Sequence, residues 1–326
     1  MPLPEDLREA VETALASCNS KVLKESSEAL SADYRSGQGS SRGFQTKTQF
    51  LAYLATRLPA TFGACAAVFQ ALRNRCPHFS CHSILDLGSG PGTAAWAALD
   101  VFPEIDALHL VEREAVAIEV GKMLSEKATA SAWKSVLWHQ AGLDAAFDVP
   151  AVDMAVLSYA YGELKKDVGH AVIERLWEKK IPVVAVIEPG TPKGFERIRE
   201  LRAFVLEKGA RIIAPCPHGR TCPMLIPDWC HFSARIERTR LHRQLKEGSL
   251  GYEDEKYSYV VYAHPSIDLS CAPIQGRILR HPQKGSGFVR MSVCEADGVI
   301  REEVITRSNK AKYRIARDAE WGDVWE

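Results

Sequence analysis

The 326-residue sequence has no apolar run long enough to cross a bilayer as a helix, so no membrane association is expected. It has no excess of either charge, with 41 Lys/Arg against 41 Asp/Glu, and net charge alone points to no polyanionic partner. Its opening stretch, MPLPEDLREAVETALASC, lacks the Arg-rich, acid-poor character of a mitochondrial presequence and the apolar core of a secretory signal. No internal repeat or long low-complexity tract is visible. There is no C-x2-C pair, the tight turn on which zinc fingers are usually built. Nine cysteines, an odd number in a chain that reads as intracellular, argue against a disulfide framework and for metal binding or catalysis.

The charge is balanced but unevenly placed. Between Arg211 and Arg317 there are 18 Lys/Arg and 11 Asp/Glu, a basic C-terminal third that suggests one anion-facing surface. Leu7, Val11 and Leu15 predict an amphipathic helix within residues 3–30. Residues 34–43, YRSGQGSSRG, read as a Gly/Ser loop, and helix resumes over 46–75. Strands are then expected at 83–87, 107–112, 154–161, 183–190 and 210–215, separated by helices from Thr93 and over 114–127, 166–179 and 194–208. Such alternation, with strands apolar on both faces, predicts a parallel, doubly wound α/β sheet. The next clear strand is 256–264. Roughly forty residues rich in cysteine therefore separate two sheet strands, which is long for a loop without a role. The tail pieces GFVRMSVC and VIREEVITR, joined by EADG, predict a small β extension. The expected organisation is a helical N-terminal region (1–80), the α/β domain (81–215 with 255–265), a cysteine-rich metal-binding insertion (216–254) and the C-terminal β extension (266–326).

LDLGSGPG places Asp86, Gly88, Gly90 and Gly92 at the carboxyl end of the first strand. Glycines there let the backbone turn sharply and approach a ligand, while the next helix offers free N–H groups. Glu112, ending the following strand, suits both hydroxyls of a ribose. The pattern resembles the Asp-x-Gly-x-Gly-x-Gly fingerprint of class I S-adenosylmethionine-dependent methyltransferases. The resemblance implies that the glycine loop contacts the amino-acid part of the cofactor and Glu112 its ribose. Gly90, Gly92 and Ala95 also satisfy the dinucleotide motif G-x-G-x-x-A, but Asp86 and Gly88 favour the methyltransferase. The fourth strand ends in LSYAYGEL, without the Asn/Asp-Pro-Pro-aromatic motif common in amino-methyltransferases. Ser158, Tyr159 and Tyr161 are pocket candidates, Ser158 being counted with the cofactor-binding residues; none is an evident base, so no catalytic residue is assigned.

CPHGRTCPMLIPDWC spaces Cys216, Cys222 and Cys230 as C-x5-C-x7-C. Three cysteines need a fourth ligand for tetrahedral zinc or a cubane cluster. Cys294, in the tail, is the leading candidate; Cys271, His218, His231 and His242 are the alternatives. Wide spacing and Cys-Pro steps favour iron–sulfur over zinc. Cys18, Cys65, Cys76 and Cys81 read as small buried hydrophobes. Pro215-Cys216 also admits a weaker reading as the nucleophile of a cytosine-5 methyltransferase.

The stretch from APCPHGRTCP to KYSYVV, together with IEPGTP and the terminal WGDVW, resembles the mitoribosomal small-subunit assembly family typified by methyltransferase-like protein 17. The resemblance spans nearly the whole chain after Tyr34. It implies a class I methyltransferase (Rossmann-like) fold, a [4Fe–4S] cluster on Cys216, Cys222, Cys230 and Cys294, and binding to the small ribosomal subunit during assembly. Zinc remains the alternative metal. The absent presequence suggests a bacterial, cytoplasmic member; a eukaryotic one would work in the mitochondrial matrix. A monomer is expected.

SARIERTRLHRQLK (233–246) reads as one helix carrying Arg235, Arg238, Arg240, His242, Arg243 and Lys246, and the tail adds Arg277, Arg280, His281, Lys284, Arg290, Lys310, Lys312, Arg314 and Arg317. Arg suits phosphate clamping, and Tyr257, Tyr259, Phe288 and Tyr313 are interspersed as stacking candidates. Small-subunit rRNA is the expected partner. Three functions are therefore carried forward: an assembly factor on a methyltransferase scaffold, an active rRNA methyltransferase, and an iron- or redox-sensing RNA-binding protein.

Overall fold

A computed structural model describes residues 2–16, 18, 23, 25–26, 46–145, 147–238, 243 and 250–326. Helix α1 (Glu5–Leu15) buries the stripe Leu7, Val11 and Leu15. Helix α2 (Lys47–Thr56) starts at a capping box in which Thr46 and Gln49 satisfy each other's backbone N–H groups. Helix α3 (Leu58–Arg75) follows at once, with Pro59 in its first turn where no intrahelical donor is lost. It buries almost its whole circumference, including Phe62, Cys65, Phe69 and Leu72. That burial, rather than a bilayer, accounts for the apolar character of the α2–α3 pair; among the described residues no single helix is long and apolar enough to cross a membrane.

The α/β elements then follow: β1 (Ser83–Leu87), α4 (Thr93–Val101), β2 (Ala107–Glu112), α5 (Ala115–Ser125), β3 (Leu137–Gln140), β4 (Met154–Ser158), α6 (Lys166–Glu178), β5 (Val183–Pro189), α7 (Pro192–Glu207) and β6 (Arg211–Ala214). Next come β7 (Phe232–Glu237) and β8 (Tyr252–Ala263). The strand order is β3-β2-β1-β4-β5-β8-β6, with β7 beside β8. β1 to β5 pair in parallel, whereas β8 runs antiparallel to β5, β6 and β7. The fold is thus the class I methyltransferase α/β sandwich, with one reversed strand in an otherwise doubly wound sheet. Its carboxyl strand ends leave a crevice at the topological switch between β1 and β4.

The chain ends in a second, antiparallel sheet of β9 (Gly276–Ile278), β10 (Gln283–Lys284), β11 (Phe288–Glu295), β12 (Ile300–Thr306) and β13 (Val324–Trp325), with helix α8 (Lys310–Asp318) packed on it. β11 alternates cleanly, with Val289, Met291 and Val293 inward and Phe288 and Arg290 outward. The inward set joins Ile278, Ile305, Ala316 and Trp325 in a small core.

Three expectations change. Residues 232–237 form strand β7, not the start of a helix: Phe232, Ala234 and Ile236 point inward and alternate with Ser233, Arg235 and Glu237, so a period of two outweighs the arginine-rich composition. Residues 239–242 and 244–249 of the expected helix, like the expected loop 34–43, lie outside the described residues. Helix α8 and strand β3 were not anticipated; α8 is capped by Asn309, whose side chain accepts from Lys312 N–H. Finally, Cys76 and Cys271 form a disulfide between the end of α3 and the segment after β8. Cys76 is therefore not a free thiol, and Cys271 is not available as a cluster ligand.

Gly63 shows how β7 is seated. A Cβ there would lie 2.5 Å from Ile236 Cγ2, so only glycine lets α3 approach the strand. Gly63→Ala should cost about 1–3 kcal/mol by overpacking, despite removing a glycine from a helix. In an Ile236→Ala background that cost should vanish or reverse. Denaturant unfolding of the double-mutant cycle checks this; equal costs in both backgrounds would contradict the packing of β7 on α3.

Candidate functional site

The glycine loop lies where β1 runs into α4. Gly88, Gly90 and Gly92 have φ of +71°, +54° and +84°, which L-residues with side chains rarely adopt. Glu112 Oε2 accepts the Gly90 N–H at 2.8 Å and Oε1 accepts the Glu114 N–H at 2.9 Å. Each carboxylate oxygen therefore keeps acceptor capacity for a ligand hydroxyl. Above the loop opens a cavity of about 360 Å³, walled by Asp86, Gly88, Gly90, Glu112 and Ser158 among others. Gly92 is not in the wall; a Cβ there would meet Trp133 at 2.9 Å and Leu110 at 3.1 Å, so its task is close packing at the start of α4.

Asp86 is buried, and neither carboxylate oxygen has a hydrogen bond of normal geometry. Burial and the neighbouring Glu112 push its pKa up to about 7, with the Ala95 N–H opposing. An orphaned acid beside a cavity suits a ligand that brings a positive charge or a donor, as S-adenosylmethionine does.

The far wall was not legible in the sequence. Phe50, Tyr53 and Thr61, from α2 and α3, close the cavity, and Tyr53 Oη lies 3.1 Å from Thr93 Oγ1. Tyr159 has φ +57°, and its hydroxyl donates to Glu255 at 3.0 Å. Glu255 also takes a bidentate ion pair from Arg57 at 2.9 and 3.2 Å. Ser158 Oγ sits 3.0 Å from Cys65 Sγ, whose thiol burial pushes up to about 12. Tyr161 turns into the core beneath α6 rather than into the cavity.

A second cavity lies between the α/β domain and the C-terminal sheet. Cys216 and Cys222, from the loop after β6, Cys230, just before β7, and Cys294, on β11, all line it. His218 joins them, its Nε2 3.5 Å from Cys294 Sγ. His231 does not: it is stacked on Trp229 and edge-on to Trp321. His242 lies outside the described residues. Burial pushes the Cys230 thiol well above its ordinary value and Cys294 up to about 12, with the neighbouring thiols adding to both shifts. Among the described residues, no three His, Cys, Asp or Glu side chains are gathered tightly enough to grip one metal ion. Cys216 is remote from the glycine-loop wall, which removes its reading as a methyl-transfer nucleophile.

The predicted RNA-binding cations are mostly engaged. Arg235 forms a two-point pair with Asp254 at 2.8 and 3.0 Å, Arg238 pairs with Glu253, Arg280 with Asp228, and Lys284 with Glu320. Arg243 is exposed, and Lys246 lies outside the described residues. Tyr257 and Tyr259 are buried and unavailable for stacking.

Because burial favours the protonated form of Asp86, the folded state retains a proton that the unfolded chain releases. The penalty is fully present above a pH of about 7 and fades as the pH falls toward the ordinary value of 3.8. Asp86→Asn should therefore raise the melting temperature at about pH 8, and the gain should shrink toward pH 4. A gain that is the same at both pH values would show that Asp86 does not carry this titration.

The profile of the family described as "Rsm22: Mitochondrial small ribosomal subunit Rsm22" matches residues 47–326. The human protein "Ribosome assembly protein METTL17, mitochondrial" is 27% identical over 289 residues, covering 84% of this chain and 62% of that protein. "Rsm22-cox11 tandem protein 2, mitochondrial" of Schizosaccharomyces pombe is 25% identical over 335 residues, covering 86% of this chain and 43% of that protein. The chain thus spans about half the length of these curated relatives. Among solved structures, magnesium protoporphyrin IX methyltransferase from Synechocystis PCC 6803, with bound SAM, matches with a TM-score of 0.40 and 9% identity, over 63% of this chain and 80% of that one. With a family match that begins at α2 and runs to the last residue, through both cavities, the chain belongs to the Rsm22 family.

Proposed function

We propose that this protein is a small-ribosomal-subunit assembly factor that binds rRNA through its C-terminal third. We further propose an S-adenosylmethionine site at the glycine loop and a four-cysteine iron–sulfur site between the two sheets. The observation that carries the ribosomal reading is the family match, which includes the α/β domain, the thiol loop and the C-terminal sheet. The relatives' names add support, one being a ribosome assembly protein. Their mitochondrial names favour a matrix setting for a eukaryotic member.

The cofactor assignments rest on fit. The glycine-loop cavity offers an orphaned acid, a backbone cradle and a carboxylate at the ribose position. The four thiols line a cavity instead of converging on a point, an arrangement better suited to a multi-iron cluster than to one zinc ion. When bound, such a cluster would join the loop ligands to β11 and so tie the C-terminal sheet to the α/β domain. The second reading, an active rRNA methyltransferase, is favoured by the volume of the first cavity alone. Its wall includes Asp86, Ser158, Tyr159 and Glu163, but no group held as a base toward an acceptor.

The RNA surface moves from where composition placed it. Arg290, Arg307, Lys310, Arg314 and Arg317 are exposed on the C-terminal sheet and α8, and none pairs with a carboxylate among the described residues. Exposed Phe288 lies on the same outward face of β11 as Arg290. Cations already held in ion pairs must break them to reach phosphate, so the free set should dominate binding.

Arg314→Glu with Arg317→Glu should weaken rRNA binding at least several-fold, whereas Arg235→Glu should change it little. Wild-type affinity should fall with salt by about 0.7–0.9 log units per phosphate contact for each tenfold increase. Sedimentation of lysate through sucrose should place the protein with small-subunit precursors; recovery only at the top of the gradient, even when precursors accumulate, would refute the ribosomal role. Gly90→Arg, with no described atom within 4 Å of its Cβ position, should fill the first cavity at a cost of about 1–2 kcal/mol for its φ of +54°, small enough for the fold to persist. Calorimetry should then show S-adenosylmethionine binding to wild type and none to the variant; equal affinities would move the cofactor elsewhere.

A further inference from the structure

The thiol cavity holds two buried positive charges that have no carboxylate partner among the described residues. Arg202, on α7, is 4% exposed, and Arg277, on β9, is 6% exposed. Both line the cavity, and no Asp or Glu does. Arg202 donates to the His218 carbonyl at 2.8 Å, while its Nε is buried without a partner. Arg277 donates through Nε to the Pro215 carbonyl at 2.9 Å and through Nη1 to the Gly322 carbonyl at 2.6 Å. Carbonyls satisfy donors but do not neutralise charge. Arg75 lies beside Arg277, and among the described residues it has no carboxylate partner and its buried Nη1 makes no hydrogen bond. Isolated buried guanidinium groups are strongly unfavourable unless an anion is near.

The thiols cannot supply that anion on their own. A protonated thiol is neutral, and only a bound metal obliges all four to give up their protons. Metal binding changes the sum. Four S–H bonds break, four protons leave to solvent and four metal–sulfur bonds form. Four thiolates around a core of two positive charges leave a net charge of about −2, to which the two buried guanidinium groups are matched, with the half-buried Arg199 also in the lining.

We propose that Arg202 and Arg277 are the charge partners of a dianionic thiolate-bound centre held by Cys216, Cys222, Cys230 and Cys294. The inference rests on the reading of these cysteines as a metal-cluster site. Arg202 lines the cavity with Cys216 and donates to the carbonyl of His218, two residues further along the same loop. Arg277 bridges the Pro215 carbonyl, next to the first ligand, and the Gly322 carbonyl near the end of the chain. Cluster loading would therefore relieve a strain in charge on both sides of the cavity. One-electron reduction adds a negative charge, so both arginines should also favour the reduced state.

The test uses the 326-residue protein, purified anaerobically, reconstituted with sulfide and equal amounts of ferrous and ferric iron, and compared with a chelator-stripped portion. In the stripped form, Arg202→Met should match or exceed the wild-type melting temperature, because an uncompensated buried charge is gone. In the loaded form it should melt lower, lose iron to a chelator several-fold faster and show a more negative reduction potential. Arg202→Lys should lie between. Arg277→Met should shift loaded and stripped forms in the same relative sense, offset by the loss of its two carbonyl contacts. A guanidinium that merely holds the His218 carbonyl would destabilise both forms alike; equal losses in the two forms, with unchanged iron release and potential, would overturn the inference. A wild type that takes up neither iron nor sulfide would instead fail the cluster reading, and the inference with it.

Discussion

The structure depends on one long antiparallel strand. β8 is twelve residues long, and its two halves meet different demands. The half Tyr257–Ala263 is buried between β5 and β6, completing the main sheet. The half Tyr252–Lys256 alternates between exposed and half-buried positions and pairs with β7. Both cavities take a wall or an anchor from it. Glu255 holds Tyr159 and Arg57 behind the glycine-loop cavity, while Ser258 and Tyr259 line the thiol cavity. Ser258 Oγ also donates to the Cys230 carbonyl at 2.8 Å, fixing one thiol against the sheet. At Gly190 the end of β5 approaches β8 so closely that a Cβ would lie 2.6 Å from the Lys256 and Tyr257 backbone.

The two cavities depend on the same strand but draw on opposite chemistry. Among the described residues, the first contains a buried acid that no cation faces, and the second contains buried cations that pair with no carboxylate. Each imbalance is costly in a medium that solvates charge poorly, and each is relieved by a ligand of the matching sign. A cationic adenosyl cofactor would answer the first, and a thiolate-bound metal centre the second. The arrangement is consistent with a scaffold whose stability is coupled to two ligands, since anything that binds only the folded state stabilises it.

The C-terminal sheet would gain most from the proposed second ligand. Its own core is small, built from residues such as Ile278, Val289, Met291, Val293 and Ile305. It joins the α/β domain through Cys294, Leu279 and Arg277, all at the thiol cavity. The exposed cations proposed to meet RNA lie on this sheet and on α8. Ordering the cavity and presenting those cations are therefore linked by packing, and the link does not pass through the glycine loop.

The sequence by itself determined the alternation of strands and helices, the glycine turn at the end of β1, and the thiol spacing in one loop. These are local properties: a left-handed backbone needs glycine, and a doubly buried strand needs an unbroken apolar run. It also pointed to Cys294 in the tail, although nothing in the spacing could place that residue beside the other three. Only tertiary structure decided the rest. Periodicity over 232–237 was obscured by arginines that are in fact paired across strands with Asp254 and Glu253. Cys271 could not be separated from Cys294 until the chain brought it against Cys76. Arg202 carries no sequence signal, and Arg277 read as one more cation of the RNA-facing surface although it is buried, because a buried charge looks like a surface one until its neighbours are known. Phe50 and Tyr53 reached the cofactor cavity only through the packing of α2 over the strand ends. Charge pairing and burial depend on contacts between residues far apart in the chain, and such contacts are what a one-dimensional reading lacks.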